Sequence, residues 1–164
     1  MKVKSSVRMD RDNALMLFTR KYFQSRQPAT LEDFAWWSGL NMSDCRKGIA
    51  LLGDSIHIEK WEGRDFYLTD DCRTRGFRKD KYLLISPYDE YLISYKSRDI
   101  VLPAEYKHKA HNNNGIFQSI IAKDGRICGN WSPFKKECQA DFFDGVHNTD
   151  MQEEWARYKK FKTK

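Results

Sequence analysis

Apolar and polar positions change period several times along this chain, and each change predicts an element. Leu15, Phe18 and Tyr22 recur at helical spacing, with Ala14 and Leu17 beside them, in a segment running to about Ser25. Asp10 or Asp12 suits its cap. Gln27-Pro28 ends it, because the residue before a proline is pushed out of the helical region. Two shorter helices follow. Thr30 and Asp33 form a capping-box-like pair at the start of the first, and Gly39 supplies a left-handed stop. Asn41 or Ser43 caps the second, in which Cys45, Ile49 and Leu52 share one inward face. From Ile56 to Leu68 the pattern alternates around Glu62-Gly63, as the two strands of a hairpin do. Three helices followed by a hairpin is the order of a winged helix.

The second half reads differently. Tyr82-Leu-Leu-Ile85 is a short apolar run ended by Ser86-Pro87, as a buried strand would be. Asp89 to Tyr95 predicts a turn or two of helix, Pro103 to Ala110 another short helix, and His111 to Gly115 a loop. Ile116–Ala122 and Arg126–Trp131 flank Lys123-Asp124-Gly125, a hairpin signal. Lys135 to Phe143 predicts a third strand. Thr149 to Phe161 predicts a closing helix with Met151, Trp155 and Tyr158 on one face. The fold class expected is α+β: a winged helix over residues 10–72, a basic linker over 73–81, and a small antiparallel β unit with flanking helices over 82–164.

Composition narrows the function classes. The chain of 164 residues is 40% hydrophobic and 14% aromatic, enough for a packed core. Twenty-nine Lys and Arg against 23 Asp and Glu give +6, a mild excess that suits a polyanionic partner without requiring one. Cys45, Cys72, Cys128 and Cys138 form no Cys-x-x-Cys pair, so reduced thiols of a cytosolic protein are expected rather than disulfides or zinc. The charged N-terminus has no apolar core of a secretory signal, and no apolar run approaches a membrane span. The expectation is a cytoplasmic protein with no membrane partner.

On the helix beginning near Ser43, the residues Ser43, Arg46, Lys47 and Ala50 point outward. Small and basic outside, apolar inside, is what a helix entering a major groove needs. An amphipathic helix with solvated cations has the same pattern, and both readings stand. Lys60, Trp61 and Arg64 at the hairpin tip are candidate phosphate contacts, opposed by Glu59, Glu62 and Asp65. Residues 73–81 hold five basic side chains, Arg75 and Arg78 among them, and read equally as a phosphate-contacting strap or a solvated linker. Trp36-Trp37 reads as inter-helix packing. His108 and His111 lack further ligands at zinc spacing. Asp89-Glu90 suits a cap or an ion pair better than acid–base work. No phosphate-cradling Gly-rich loop and no serine or cysteine nucleophile motif is present, so no catalytic residue, cofactor or metal is expected.

Three segments together resemble a known family. They are Pro28-Ala-Thr-Leu-Glu-Asp-Phe-Ala-Trp-Trp-Ser-Gly-Leu40, Tyr88-Asp-Glu-Tyr-Leu-Ile-Ser-Tyr-Lys-Ser-Arg-Asp99 and Gly115-Ile-Phe-Gln-Ser-Ile-Ile-Ala-Lys-Asp-Gly-Arg-Ile-Cys-Gly-Asn-Trp131. In this order they resemble bacterial winged-helix DNA-binding-domain proteins related to alkylpurine and interstrand-crosslink DNA glycosylases. The resemblance implies the C-terminal half of a chain about twice as long, with tandem winged helices and a small β-barrel-like C-terminal part. It marks Asp89, Tyr91, Tyr95 and Arg98 as family-patterned positions without an assigned role. The glycosylases' Gln-apolar-Gln or Gln-x-Asp catalytic segment has no match here, since Gln24 and Gln27 are spaced differently and Gln118 lies in the C-terminal hairpin. The expected function is therefore a double-stranded-DNA-binding winged-helix module without its own catalytic site. Two alternatives stand beside it: the C-terminal fragment of a DNA-repair glycosylase, with an upstream winged helix as partner, and a winged-helix protein-interaction module.

Overall fold

The computed structural model describes residues 9–73, 75–76, 79–132, 139–145 and 151–162, side chains of Gln152 and Lys162 excepted. The chain divides into two compact units. One runs to Arg75 and regains Ser94–Lys96; the other takes Gly76–Ile93 and the chain from Ser97 onward.

In the first unit, α1 spans Arg11–Arg26, α2 Leu31–Ser38 and α3 Met42–Leu52. Each start is capped as its local sequence dictates. Asp10 accepts the backbone N–H groups of Asp12 and Asn13. Thr30 and Asp33 close the reciprocal capping box. Asn41 accepts from Asp44, which places Ser43 inside the first turn of α3. Gly39 ends α2 at φ 71°, where a glycine pays no Cβ penalty. Strands β1 (Ile56–Trp61) and β2 (Arg64–Thr69) pair in antiparallel register from Ile56↔Thr69 to Trp61↔Arg64. Glu62 and Gly63 turn between them, both at positive φ. Ala29 forms an isolated antiparallel bridge to Tyr67 on the other edge of β2. The core is Tyr22, Phe23, Phe34 and Cys45, closed by Ala29 and Leu31.

The apolar stripe of α1 is displaced from the one its spacing predicts. Leu15, Thr19, Tyr22 and Phe23 are buried, whereas Leu17 and Phe18 are exposed. The cause lies on α3, where Gly48 faces Thr19. A Cβ at Gly48 would lie 2.2 Å from Thr19 Oγ1 and 3.2 Å from its Cβ. The two helices meet too closely for anything larger than threonine, whose hydroxyl donates to the Leu15 carbonyl at 2.8 Å. Phe18 instead lies at the margin, its ring 5.9 Å from Phe34 and 5.6 Å from Trp37. Of the tryptophan pair, Trp37 packs against this core and Trp36 is exposed.

The second unit is a four-stranded antiparallel sheet in the order β3 (Tyr82–Ile85), β4 (Ile120–Lys123), β5 (Arg126–Ser132), β6 (Gln139–Phe142). Among the described residues it is an open meander with β3 and β6 at its edges, rather than a closed, barrel-like sheet. Both faces are covered. Tyr82, Ile121, Trp131 and Phe142 pack with Met151 and Trp155 at α6 (Gln152–Lys162). Ile120, Ile127 and Phe143 pack on the other side with Leu92 of α4 (Glu90–Ile93), Leu102, and Ala110 of α5 (Lys107–Ala110). Burial on both faces is why Ile120-Ile121-Ala122 is a continuous apolar run. A Cβ at Gly129 would lie 2.7 Å from the Asp141 carbonyl oxygen, so β5 needs glycine where it pairs with β6 at Phe142.

The strand expected from Ile116 begins only at Ile120. Asn112 takes the preceding backbone: its Oδ1 accepts from the Asn114 and Ile116 N–H groups, and Gln118 donates to the Ala110 carbonyl. Among the described residues, no helix is long and apolar enough to cross a membrane.

Replacing Gly48 with alanine is expected to destabilise the protein by about 1–3 kcal/mol, despite alanine's better helix propensity. Chemical denaturation of Gly48→Ala, and of Gly48→Ala with Thr19→Ala, checks the cause. The second variant removes the Thr19 hydroxyl and methyl but keeps its Cβ, and should recover part of the loss.

Candidate nucleic-acid interface

The close approach at Gly48 fixes the rotation of α3. Cys45, Gly48 and Leu52 are buried, and Ser43, Arg46, Lys47 and Ala50 face outward. The cations on this face are partly committed. Lys47 Nζ lies 2.5 Å from Asp12 Oδ1, and Arg11 reaches Asp44 at 3.0 Å. The first turn of α1 and the outward face of α3 are thus cross-linked by two reciprocal ion pairs. Arg46, exposed, enters neither.

The hairpin is neutralised the same way. Lys60 pairs with Asp65 at 3.7 Å and Arg64 with Glu62 at 3.7 Å. Arg64 also lies over the rings of Trp61 and Phe66, at 5.9 and 5.6 Å. Taken with Arg11 and Asp12, the charged residues of α3 and the hairpin number five cations (Arg11, Arg46, Lys47, Lys60, Arg64) and five carboxylates (Asp12, Asp44, Glu59, Glu62, Asp65). This surface carries no net charge.

The chain's positive excess lies elsewhere. Residues 73–81 hold five cations and Asp80, a net +4, and residues 157–164 hold five cations and no carboxylate. Against a total of +6, the remainder of the chain is −3. Arg73 and Arg75 are exposed; Arg78 lies outside the described residues. The second basic run, which begins at Arg157 on α6, carries no motif and shows only when charge is counted segment by segment.

The family-patterned residues are tied into the fold. Asp89 accepts the Tyr91 N–H and begins α4. Tyr91 donates its hydroxyl to the Gly125 carbonyl at 2.6 Å, holding the tip of the β4–β5 hairpin. Arg98 Nε donates to the Leu92 carbonyl at 2.6 Å, and its guanidinium lies 5.3 Å from the Phe117 ring centre. Tyr95, in the segment returned to the first unit, donates to the Arg26 carbonyl at 2.9 Å, satisfying a group the end of α1 leaves without an intrahelical partner.

Burial pushes the thiols of Cys45 and Cys128 up, away from the thiolate a nucleophile needs. Among the described residues, no group of three His, Cys, Asp or Glu is placed to hold a metal. His108 is exposed and His111 buried, so the two do not form one site.

The family model described as DNA glycosylase AlkZ-like matches residues 3–141. The chain belongs to the AlkZ-like DNA glycosylase family. An interstrand DNA cross-link repair glycosylase of Streptomyces sahachiroi is 28% identical over 138 residues, covering 77% of this chain and 36% of that protein. The solved structure of Streptomyces sahachiroi DNA glycosylase AlkZ matches with a TM-score of 0.79 at 21% identity, over 92% of this chain and 43% of that one, and shares the fold. The chain therefore spans well under two thirds of either relative. The AlkZ-like match ends before α6, so the family model does not account for the second basic run.

His111 gives a pH test of the scaffold. Its Nε2 is buried without a hydrogen-bond partner. Burial lowers its pKa below the usual 6.5; the charges of Arg98 and Lys107 lower it further, and a hydrogen bond at the Asn112 backbone opposes them. The folded state then binds this proton less readily than the unfolded chain. Stability should be full above pH 6.5 and fall as pH drops through and below that value. His111→Phe should flatten that slope in denaturation midpoints measured from pH 7.5 to 5, roughly the range over which histidine titrates.

Proposed function

We propose that this chain binds double-stranded DNA as part of a DNA-repair glycosylase, with α3 presented to the duplex. The observation that carries this reading is membership of the AlkZ-like family across residues 3–141. The outward face of α3 supports it: Ser43, Arg46 and Lys47 are exposed together on a helix whose other side is locked into the core. The reading assigns DNA binding to this chain and places no base-excision chemistry on its residues. Its coverage of 36% of the glycosylase relative supports the further proposal that it works beside an upstream winged helix.

The ion pairs on α3 do not oppose this. Exposed pairs contribute roughly 0–1 kcal/mol each, so a phosphate can replace Asp12 at Lys47 at small cost. Arg46 needs no such exchange. The neutral balance of α3 and the hairpin is also the observation that favours the rival, a protein-binding winged helix.

Titration of a labelled duplex across a salt series decides between them. Arg46→Glu with Lys47→Glu should weaken binding by tenfold or more, roughly what two lost phosphate contacts at low salt amount to. Asp12→Asn, which releases Lys47, should tighten it by roughly two- to fivefold. Duplex binding that is absent, or indifferent to all three changes, would favour the protein-binding rival.

A further inference from the structure

Helix α6 has its apolar side committed to the core. Trp155 and Tyr158 stack on one another at 5.2 Å and meet Trp131 at 6.1 and 4.8 Å, with Met151 buried beside them. That packing turns Arg157, Lys159, Lys160 and Phe161 to solvent. Phe161 is 80% exposed, more than any other large apolar side chain among the described residues. Lys159 lies with its Nζ 5.5 Å from the Trp155 ring centre. Arg157 reaches Glu153 at 3.2 Å in an exposed i,i+4 pair, easily exchanged for another anion. From Trp155 to the last residue there are five cations and no carboxylate.

We propose that the outward face of α6 anchors the phosphate backbone of duplex DNA, with Phe161 lying against the sugars or the groove. This rests on the DNA-binding reading above and adds a second contact surface to it. Three observations carry it. The chain outside 73–81 and 157–164 is net negative, so long-range attraction to DNA is concentrated in these two segments and in the three cations of residues 1–8. The helix dipole accounts for a cation or two in a last turn, but not for the four cations that α6 carries from Arg157 onward together with a bare phenylalanine. A large ring among cations matches surfaces that grip a backbone while resting on a base or sugar. A membrane surface fits less well. An interfacial helix buries a whole apolar face in lipid, and on α6 that face is already packed on the sheet, leaving Phe161 alone.

The test uses the whole chain and a labelled duplex over a salt series. One variant neutralises α6 (Arg157→Gln, Lys159→Gln, Lys160→Gln). A control removes the same charge elsewhere (Arg20→Gln, Lys21→Gln, Lys107→Gln). Thermal melting by circular dichroism confirms that both are folded. The α6 variant should bind roughly tenfold or more weakly at about 50 mM salt, with a salt slope shallower by about two to three, while the control changes little. Phe161→Ala should weaken binding without altering the slope. If wild type binds and the two triple variants behave alike, the α6 anchor falls and the DNA-binding reading survives. If wild type binds no duplex at any salt, both fall. If the α6 variant keeps its DNA binding but loses binding to phosphatidylserine vesicles, the partner is lipid and the proposal is overturned.

Discussion

The approach of α1 and α3 at Thr19 and Gly48 is the constraint on which the first unit depends. Bare backbone on one helix faces a short β-branched side chain on the other. That single contact sets the rotation of α3 and decides which of its side chains meet water. It also brings the first turn of α1 alongside the outward face of α3, close enough for Arg11 and Asp12 to reach Asp44 and Lys47. The electrostatic character of the exposed face therefore follows from a steric fact in the core. Phe18 is displaced by the same contact, and its ring finishes the aromatic cluster from the margin instead of the centre.

The second unit is built on a different principle. Its sheet has no solvent face along much of β4, so successive residues serve opposite cores: Ile120 and Phe143 on one side, Ile121 and Phe142 on the other. Hydrogen bonds from side chains to isolated carbonyls complete it. Trp131 Nε1 donates to Ile85 across the sheet, and Tyr91 closes on the β4–β5 turn. Family patterning at Tyr91 and Arg98 coincides with ties of this kind, while Asp89 accepts the Tyr91 N–H at the start of α4. Function in this unit is better sought on α6, which projects cations from a firmly seated apolar side.

What was legible in the sequence was local. The Thr30–Asp33 box, the Gly39 stop, the Asn41 cap and the Glu62-Gly63 and Asp124-Gly125 turns depend on residues a few positions apart, and all formed. The illegible features depend on distant partners. Nothing near Thr19 signals that it outranks Phe18 for the core, because Gly48 decides that from another helix. The outward charges of α3 were readable, but the carboxylate that pairs with Lys47 stands 35 positions away and the arginine that pairs with Asp44 stands 33 away. The start of β4 was misplaced because Asn112, an unremarked loop residue, captures the backbone that alternation assigned to a strand. The basic run of α6 was present in the sequence all along, hidden by a chain-wide average that spread its charge over acidic neighbours.

Asp33 joins these scales. Its carboxylate accepts the Thr30 N–H and hydroxyl at 3.0 and 2.8 Å, and also the backbone N–H of Lys96 at 2.8 Å. A buried carboxylate that loses one of its donors is costly, so α2 depends on a segment 63 residues further on. The first unit is therefore not a portable cassette. Severed after Arg75 it would keep its own helices and hairpin, yet leave Asp33 short of a donor and the Arg26 carbonyl without Tyr95. Genetic recombination that shuffles domains at apparent linkers would be selected against at this one. The two units should be inherited together, and partial duplications that copy one without residues 94–96 should be rare.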